Sequence, residues 1–330
     1  MTDAVQERYA RFARDEAPGR SALYAEWAAG VAADVEVRRI LLRIPETRRQ
    51  PPLVFAVTRL LGAELAGYPQ WRDFVLRNAD EVVAECARRS LQTNEPLRLA
   101  ALLPVLSEIE GPIALLEIGA SAGLCLYPDR YSYRFVDEAG ALRVGLDPVD
   151  GPSTVVLESR VTGAMPPLRM PQVAWRAGID LAPLDAADPR DRGWLRGLVW
   201  PGEEGREQRI DAALEIAASD PALLLVGDAL ERIDALAAAA PGNATLVITT
   251  PGVLVHIPRA QRNALVARIA ALDARWITID PPGALDVWVP SVDADGWPGF
   301  VVAIDGRVRA AADPLGGWWE WRTSPSTVAS

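Results

Sequence analysis

Ile113-Ala-Leu-Leu-Glu-Ile118, followed at once by Gly119-Ala-Ser-Ala-Gly123, is the stretch on which the fold turns. Five of its first six residues are apolar, without alternation. A strand covered on both faces reads this way, and such strands belong to parallel sheets. Two glycines then allow a tight turn that a side chain would obstruct. Similar short apolar runs recur at 173–179, 222–226, 245–250 and 275–279. Helical patterns at 205–218, 231–239 and 259–272 separate the later ones. Strands alternating with helices predict an α/β fold with a mostly parallel sheet and helices on both faces.

Outward toward the N-terminus, the pattern is helical. Apolar residues recur at spacings of three and four over 5–14, 21–31 and 35–42. Pro51-Pro52 opens a helix over 53–65, and another is expected over 69–89. Thr93 or Asn94 is placed to cap a helix over 95–107. Residues 1–110 are thus expected to form an N-terminal helical domain, and 111–330 an α/β domain. Within the second, 125–172 interrupts the alternation. Its residues 131–136 and 141–146 flank Asp137-Glu-Ala-Gly140 as a β-hairpin would. The tail over 286–322 reads as strands with turns, and six of the eleven tryptophans lie between Trp276 and Trp321; an antiparallel hairpin is the simplest account.

Composition narrows the chemistry. Of 330 residues, 50% are hydrophobic and 24% charged, which excludes general disorder and a small disulfide scaffold. Cys86 and Cys125 lie far apart, and with a single histidine they offer no usual zinc ligand set, so no metal is expected. Two free thiols point to a reducing, cytoplasmic compartment. Neither an apolar leader nor a membrane-spanning stretch is visible. Every basic residue is arginine, which removes Schiff-base and P-loop lysines from consideration. A net charge of −10 disfavours wholesale electrostatic binding to duplex nucleic acid or anionic membranes. Oligomeric state is not legible.

Glu117-Ile-Gly119-Ala120-Ser121-Ala-Gly123 resembles the first motif of Rossmann-like S-adenosylmethionine-dependent methyltransferases. The resemblance continues at Gly178-Ile-Asp180-Leu181, where an acid at the second strand tip would take ribose hydroxyls. It continues at Gly227-Asp228-Ala229, where an acid would meet the adenine amine, and at the fourth-strand segment containing Thr250. Arg275-Trp-Ile-Thr-Ile-Asp-Pro-Pro282 resembles the fifth strand. Acids at the C-terminal ends of successive parallel strands stand where such sheets bind ligands. The resemblance implies S-adenosylmethionine as cofactor and a small molecule as methyl acceptor, with Asn94, Glu95, Arg130, Tyr131 and His256 as candidate pocket residues. Each of these also has a structural reading: Asn94 and Glu95 as a helix start, Asp129-Arg130-Tyr131 as an ion pair with a packed ring, His256 as a half-buried core residue.

Two other readings stand beside it. Gly119-Ala-Ser121-Ala-Gly123 is also G-x-S-x-G, the turn that presents the serine of α/β-hydrolases, and Ser121, Asp228 and His256 occur in the matching order. A non-catalytic Rossmann-like binding protein is the third reading. Over most of its length the chain further resembles an uncharacterised bacterial, largely actinobacterial, domain-of-unknown-function family. The shared segments are Gln92-Thr-Asn-Glu-Pro, Leu115-Leu-Glu-Ile-Gly-Ala-Ser-Ala-Gly-Leu124, Asp129-Arg-Tyr131, Trp175-Arg-Ala-Gly-Ile-Asp180, Trp194-Leu-Arg with Val199-Trp-Pro201, and Gly317-Trp-Trp-Glu-Trp321. That family implies no activity.

Overall fold

A computed structural model describes residues 4–322. The helices are α1 (Ala4–Arg11), α2 (Ala22–Ala33), α3 (Val35–Leu41), α4 (Pro51–Leu60), α5 (Tyr68–Arg77), α6 (Ala79–Arg88), α7 (Arg98–Leu106), α8 (Pro189–Gly197), α9 (Arg206–Ser219), α10 (Ala229–Ala239) and α11 (Arg259–Ala270). The strands are β1 (Pro112–Ile118), β2 (Ser132–Val136), β3 (Leu142–Leu146), β4 (Val156–Thr162), β5 (Gln172–Asp180), β6 (Leu223–Val226), β7 (Thr245–Pro251), β8 (Arg275–Asp280), β9 (Phe300–Ile304), β10 (Arg307–Ala312) and β11 (Trp318–Trp321). The chain is a mixed α/β protein of two compact units, residues 1–93 with 187–211, and residues 94–186 with 212–330.

The first unit is helical and its core is aromatic. Phe55 on α4 packs against Tyr9, Phe12, Tyr24, Trp27 and Trp71 with ring centroids 4.8–6.1 Å apart. Rings at such separations contribute beyond the area they bury. Their polar atoms are partnered: Trp27 Nε1 donates to Ala66 O and Trp71 Nε1 to Thr58 Oγ1. The later segment 187–211 belongs here because Arg59 Nη1 donates to the carbonyls of Gly197 and Val199, and Trp200 packs on Phe12. Arg20 lies over the Trp200 ring and pairs with Glu203 at 2.6 Å. The pattern over 69–89 divides into α5 and α6 at Asn78, whose Nδ2 donates back to Phe74 O and whose backbone leaves helical geometry.

The second unit is built on one sheet of eleven strands among the described residues, in the order β3-β2-β4-β11-β10-β9-β8-β7-β1-β5-β6. Neighbours from β8 through β7, β1 and β5 to β6 run parallel. The C-terminal strands β9, β10 and β11 continue the sheet from β8 in antiparallel fashion. The 125–172 segment supplies the expected hairpin, β2 with β3, held at its turn by Asp137 Oδ1 accepting from the N–H groups of Ala139 and Ala141. β2 then pairs with β4, and β4 runs parallel to β11, so the segment extends the far end of the sheet. Ala114, Leu116 and Ile118 of β1 pack in a core with Ile233 and Leu236 of α10 and Leu265 and Ile269 of α11. Helix α7 packs on β4, β8 and β9.

A crevice at the reversal of strand order

After β1 the chain first builds β2, β3 and β4 at the far end of the sheet, returns to β5 and β6 on one side of β1, then crosses to β7 and β8 on the other. The C-terminal ends of β1 and β7 therefore flank the reversal of strand order, the place where open parallel sheets take ligands. Glu117 sits one residue from the end of β1, in register with Gly178 on one side and Thr249 on the other.

The turn after β1 is held from three directions. Gly119 and Gly123 have φ of +76° and +73°, and Ser121 has φ +51°, a left-handed conformation costly for a residue with a Cβ. Asp180 Oδ2 accepts from Ser121 N–H at 2.8 Å, and its Oδ1 accepts from Ala182 N–H. The Ile179 carbonyl accepts from the N–H groups of Gly119 and Ala120. Asn94 donates to Ala120 O at 2.7 Å and accepts from Leu124 N–H at 3.0 Å. Gly119 is required for packing too, since a Cβ there would lie 2.5 Å from Val253 Cγ2. The room is already taken by the loop after β7. Gly178 likewise leaves no room, with Ala120 Cβ 2.4 Å from its absent Cβ.

Inside this rigid frame three buried polar atoms have no hydrogen-bond partner: Glu117 Oε2, Ser121 Oγ and Asp280 Oδ1. An unpaired buried polar atom costs about 1–3 kcal/mol. Burial drives the Glu117 carboxyl well above the usual range, with Arg98 opposing and Asp180 adding to the rise. Asp280, at the tip of β8, is pushed up to about 7 by burial, against the hydroxyl of Thr278 and the charges of Arg98 and Arg262. Arg98 opens α7, reaches Pro251 O at 2.8 Å and Pro314 O at 2.9 Å, and lies within electrostatic reach of Glu117, Asp280, Cys125 and His256.

The remaining expected site residues divide. Thr250 is buried on β7, and its Oγ1 accepts from Trp276 Nε1. Leu181 is exposed just beyond β5. Asp228 caps α10 through Leu230 N–H, with Ala229 the first residue of that helix. Glu95 is buried, its Oε1 accepting from Leu97 N–H. Tyr131 is fully buried and donates to Leu124 O, whereas Arg130 is exposed and lies 3.7 Å from Asp220. His256 is exposed, and desolvation together with Arg98 lowers its pKa. Ser121 Oγ, having no partner, is not paired with His256. Sequence reasoning did not single out Arg98 or Asp280. Asp280 carries the same signal as Glu117, Asp180 and Asp228, an acid closing an apolar strand.

The first unit holds a cleft of about 560 Å³ lined by Leu60, Leu61, Glu81, Glu85, Arg88, Arg89 and Arg190. Glu85 accepts from both Arg88 and Arg89, which consumes much of its charge within the chain.

The fold is that of a mixed α/β protein whose largely parallel sheet reverses its strand order beside β1. The chain belongs to the family described as "Uncharacterized protein conserved in bacteria (DUF2332)", whose model matches residues 6–321. No curated protein and no solved structure gives a significant match. Among the described residues no helix is long and apolar enough to cross a membrane.

Proposed function

We propose that the second unit has a Rossmann-like core, binds S-adenosylmethionine at the crevice between β1 and β7, and transfers its methyl group to a small molecule. The observation that carries the reading is the unpartnered, buried Glu117 Oε2 at the tip of β1, beside the reversal of strand order. Its chemistry suits a cationic amine, whose arrival would draw the carboxyl into its charged form. Ser121 Oγ, also unpartnered, would meet a polar group of the same ligand. Asp180 gives two acceptor sites to the turn; a carboxylate has about four, so ribose hydroxyls remain within its capacity. When bound, the cofactor supplies an electrophilic methyl group. The chain's part is to orient the reacting groups and exclude water.

The hydrolase reading draws support from the left-handed Ser121, but a nucleophilic serine needs a base within hydrogen-bond reach, and its Oγ has none. The test is calorimetry and thermal shift with S-adenosylmethionine and S-adenosylhomocysteine. Ligand at 100 times its dissociation constant stabilises by about 2.7 kcal/mol. Absence of heat and of any shift at millimolar ligand would sink the reading. A fluorophosphonate probe is expected to leave Ser121 unlabelled.

A further inference from the structure

A second candidate site lies in the first unit, in the cleft of about 560 Å³ that α4, α6 and α8 bound. Glu81, Glu85, Arg88 and Arg89 follow one another at spacings of four, three and one, so they share one face of α6. Leu60 and Leu61, at the end of α4, form the apolar wall. Leu60 Cδ1 lies 3.6 Å from where a Cβ of Gly193 would stand, so this wall meets α8 one turn past Arg190.

The charges along the cleft divide into held and unheld ones. Glu85 is buried and accepts from Arg88 Nη2 and from Arg89 Nε, the second at 2.8 Å. Desolvation pushes its carboxyl up, and these two bonds more than reverse the rise, so Glu85 stays ionised and engaged. Arg89 is fixed further by the Trp194 ring, 5.1 Å from its guanidinium, and by Asp191 Oδ1, 3.8 Å from its Nη1. Asp191 follows Arg190 directly, so Arg89 and Arg190 stand at the same end of the cleft. Arg190 is exposed, and among the described residues its guanidinium has no partner. Asp188 already accepts from the backbone N–H groups of Arg190 and Asp191, so only the Arg190 side chain is on offer there. A guanidinium carries five N–H donors and no acceptor. Two bonds to Glu85 therefore leave most donors of Arg88 and Arg89 open beside those of Arg190.

We propose that this cleft binds a small organic monoanion, a carboxylate on an apolar body, with the carboxylate on Arg190 and Arg89 and the body along Leu60 and Leu61. The class follows from the lining. Three guanidiniums face two carboxylates, so the surplus is one positive charge, in a chain whose net charge is −10. A dianion would exceed that surplus and be repelled by Glu81 and Asp191. A cation would meet donors that cannot accept from it. A carboxylate is planar and matches the guanidinium fork with two parallel bonds. The volume falls within the range of small-molecule sites. Every lining residue belongs to the first unit, so the proposal stands whatever the crevice of the second unit binds.

The test uses the full chain and one head group on bodies of rising length: acetate, butanoate and hexanoate, with 1-hexanol and hexylamine as controls. Binding is read by calorimetry and by the assigned arginine Nε–H signals in NMR spectra. Hexanoate should bind at least about tenfold more tightly than acetate, since each fully buried methylene adds about fourfold. 1-Hexanol and hexylamine should each bind at least about tenfold more weakly than hexanoate, the low end for hydrogen bonds to a charged group. Hexanoate should move the Nε–H signals of Arg89 and Arg190. Arg190→Gln should weaken hexanoate by about tenfold and leave 1-hexanol unchanged. Affinity that does not grow with body length overturns the proposal, as does hexylamine binding as tightly as hexanoate. Hexanoate affinity unchanged in Arg190→Gln places the ligand elsewhere and overturns it too. So does the absence of heat and of any signal change at millimolar hexanoate. Should Arg190→Gln fail to fold, the wild type decides: hexanoate that leaves the Arg89 and Arg190 signals unmoved overturns the assignment.

Discussion

The aromatic core around Phe55 and the strand ends of the second unit bury polar atoms in opposite ways, although the first unit too leaves Arg49 Nε and Gln50 Oε1 unpaired. Around Phe55 the first unit gives Trp27 and Trp71 internal partners, and the rings close on themselves. At the C-terminal ends of β1 and β8 the second unit leaves two carboxylate oxygens and one hydroxyl unpaired. A satisfied core adds stability and nothing more is asked of it. An unsatisfied one is tolerated where a ligand completes it, and the cost is met by burial elsewhere. The difference teaches where to look: the most elaborate aromatic packing in the chain is structural, and the sparse polar cluster is the functional candidate.

Four measurements bear on that contrast. The largest effect should come from the satisfied side. Trp27→Ala removes a fully buried ring and its hydrogen bond, and should cost about 3–5 kcal/mol in guanidinium unfolding. A loss under 1 kcal/mol would show that the aromatic core is not what holds the first unit.

On the unsatisfied side, the acid should repay its removal. The folded Asp280 carboxyl titrates near 7, above its ordinary value of 3.8, so the folded state binds the proton more tightly. Stability from this group is present below pH 4 and is lost as pH rises through 7, by at most about 4 kcal/mol. Asp280→Asn should flatten that descent and be relatively more stable at pH 8 than at pH 4. Parallel curves for the two proteins would place Asp280 in a far more polar setting than the crevice.

The frame around the orphans comes next. Gly119→Ala must accept a left-handed backbone and a collision with Val253, and should cost about 2–4 kcal/mol. Adding Val253→Ala should recover part of the loss, because only the steric share is relieved. Additive effects in the double variant would dissolve the contact. The smallest change is Asn94→Ala, which unties both ends of the turn and should cost about 1–3 kcal/mol. Hydrogen exchange at the Leu124 amide should quicken in the same variant.

Much of the second unit was readable because its signals are local. The apolar run at 113–118, the glycine turn and the Asp137-Glu-Ala-Gly140 hairpin each declare themselves within about a dozen residues, and all three are present. The helix expected from residue 95 starts at Arg98 instead: Asn94 is drawn to the turn after β1, and Glu95 accepts from Leu97 N–H. What was illegible is long-range. Arg98 stands as one cation in an otherwise apolar helix, and its carbonyl partners lie 153 and 216 residues away. Asp280 was in plain sight as a strand-ending acid, but its unpaired oxygen is a property of the fold and not of the string. The same holds for β4, whose pairing with β11 joins Arg160 to Trp318.

That last pairing has a consequence for how the chain is made. Synthesis delivers β2, β3 and β4 early, yet one neighbour of β4, β11, is the last described strand to appear. Until Trp318–Trp321 leaves the ribosome, β4 presents an open edge ready to pair with another chain. The sheet can close only once β11 has been made, at the slow pace of distant contacts. A nascent chain stopped short of Trp318 would carry two raw edges, on β4 and on β10, and would be a ready substrate for chaperones or for clumping.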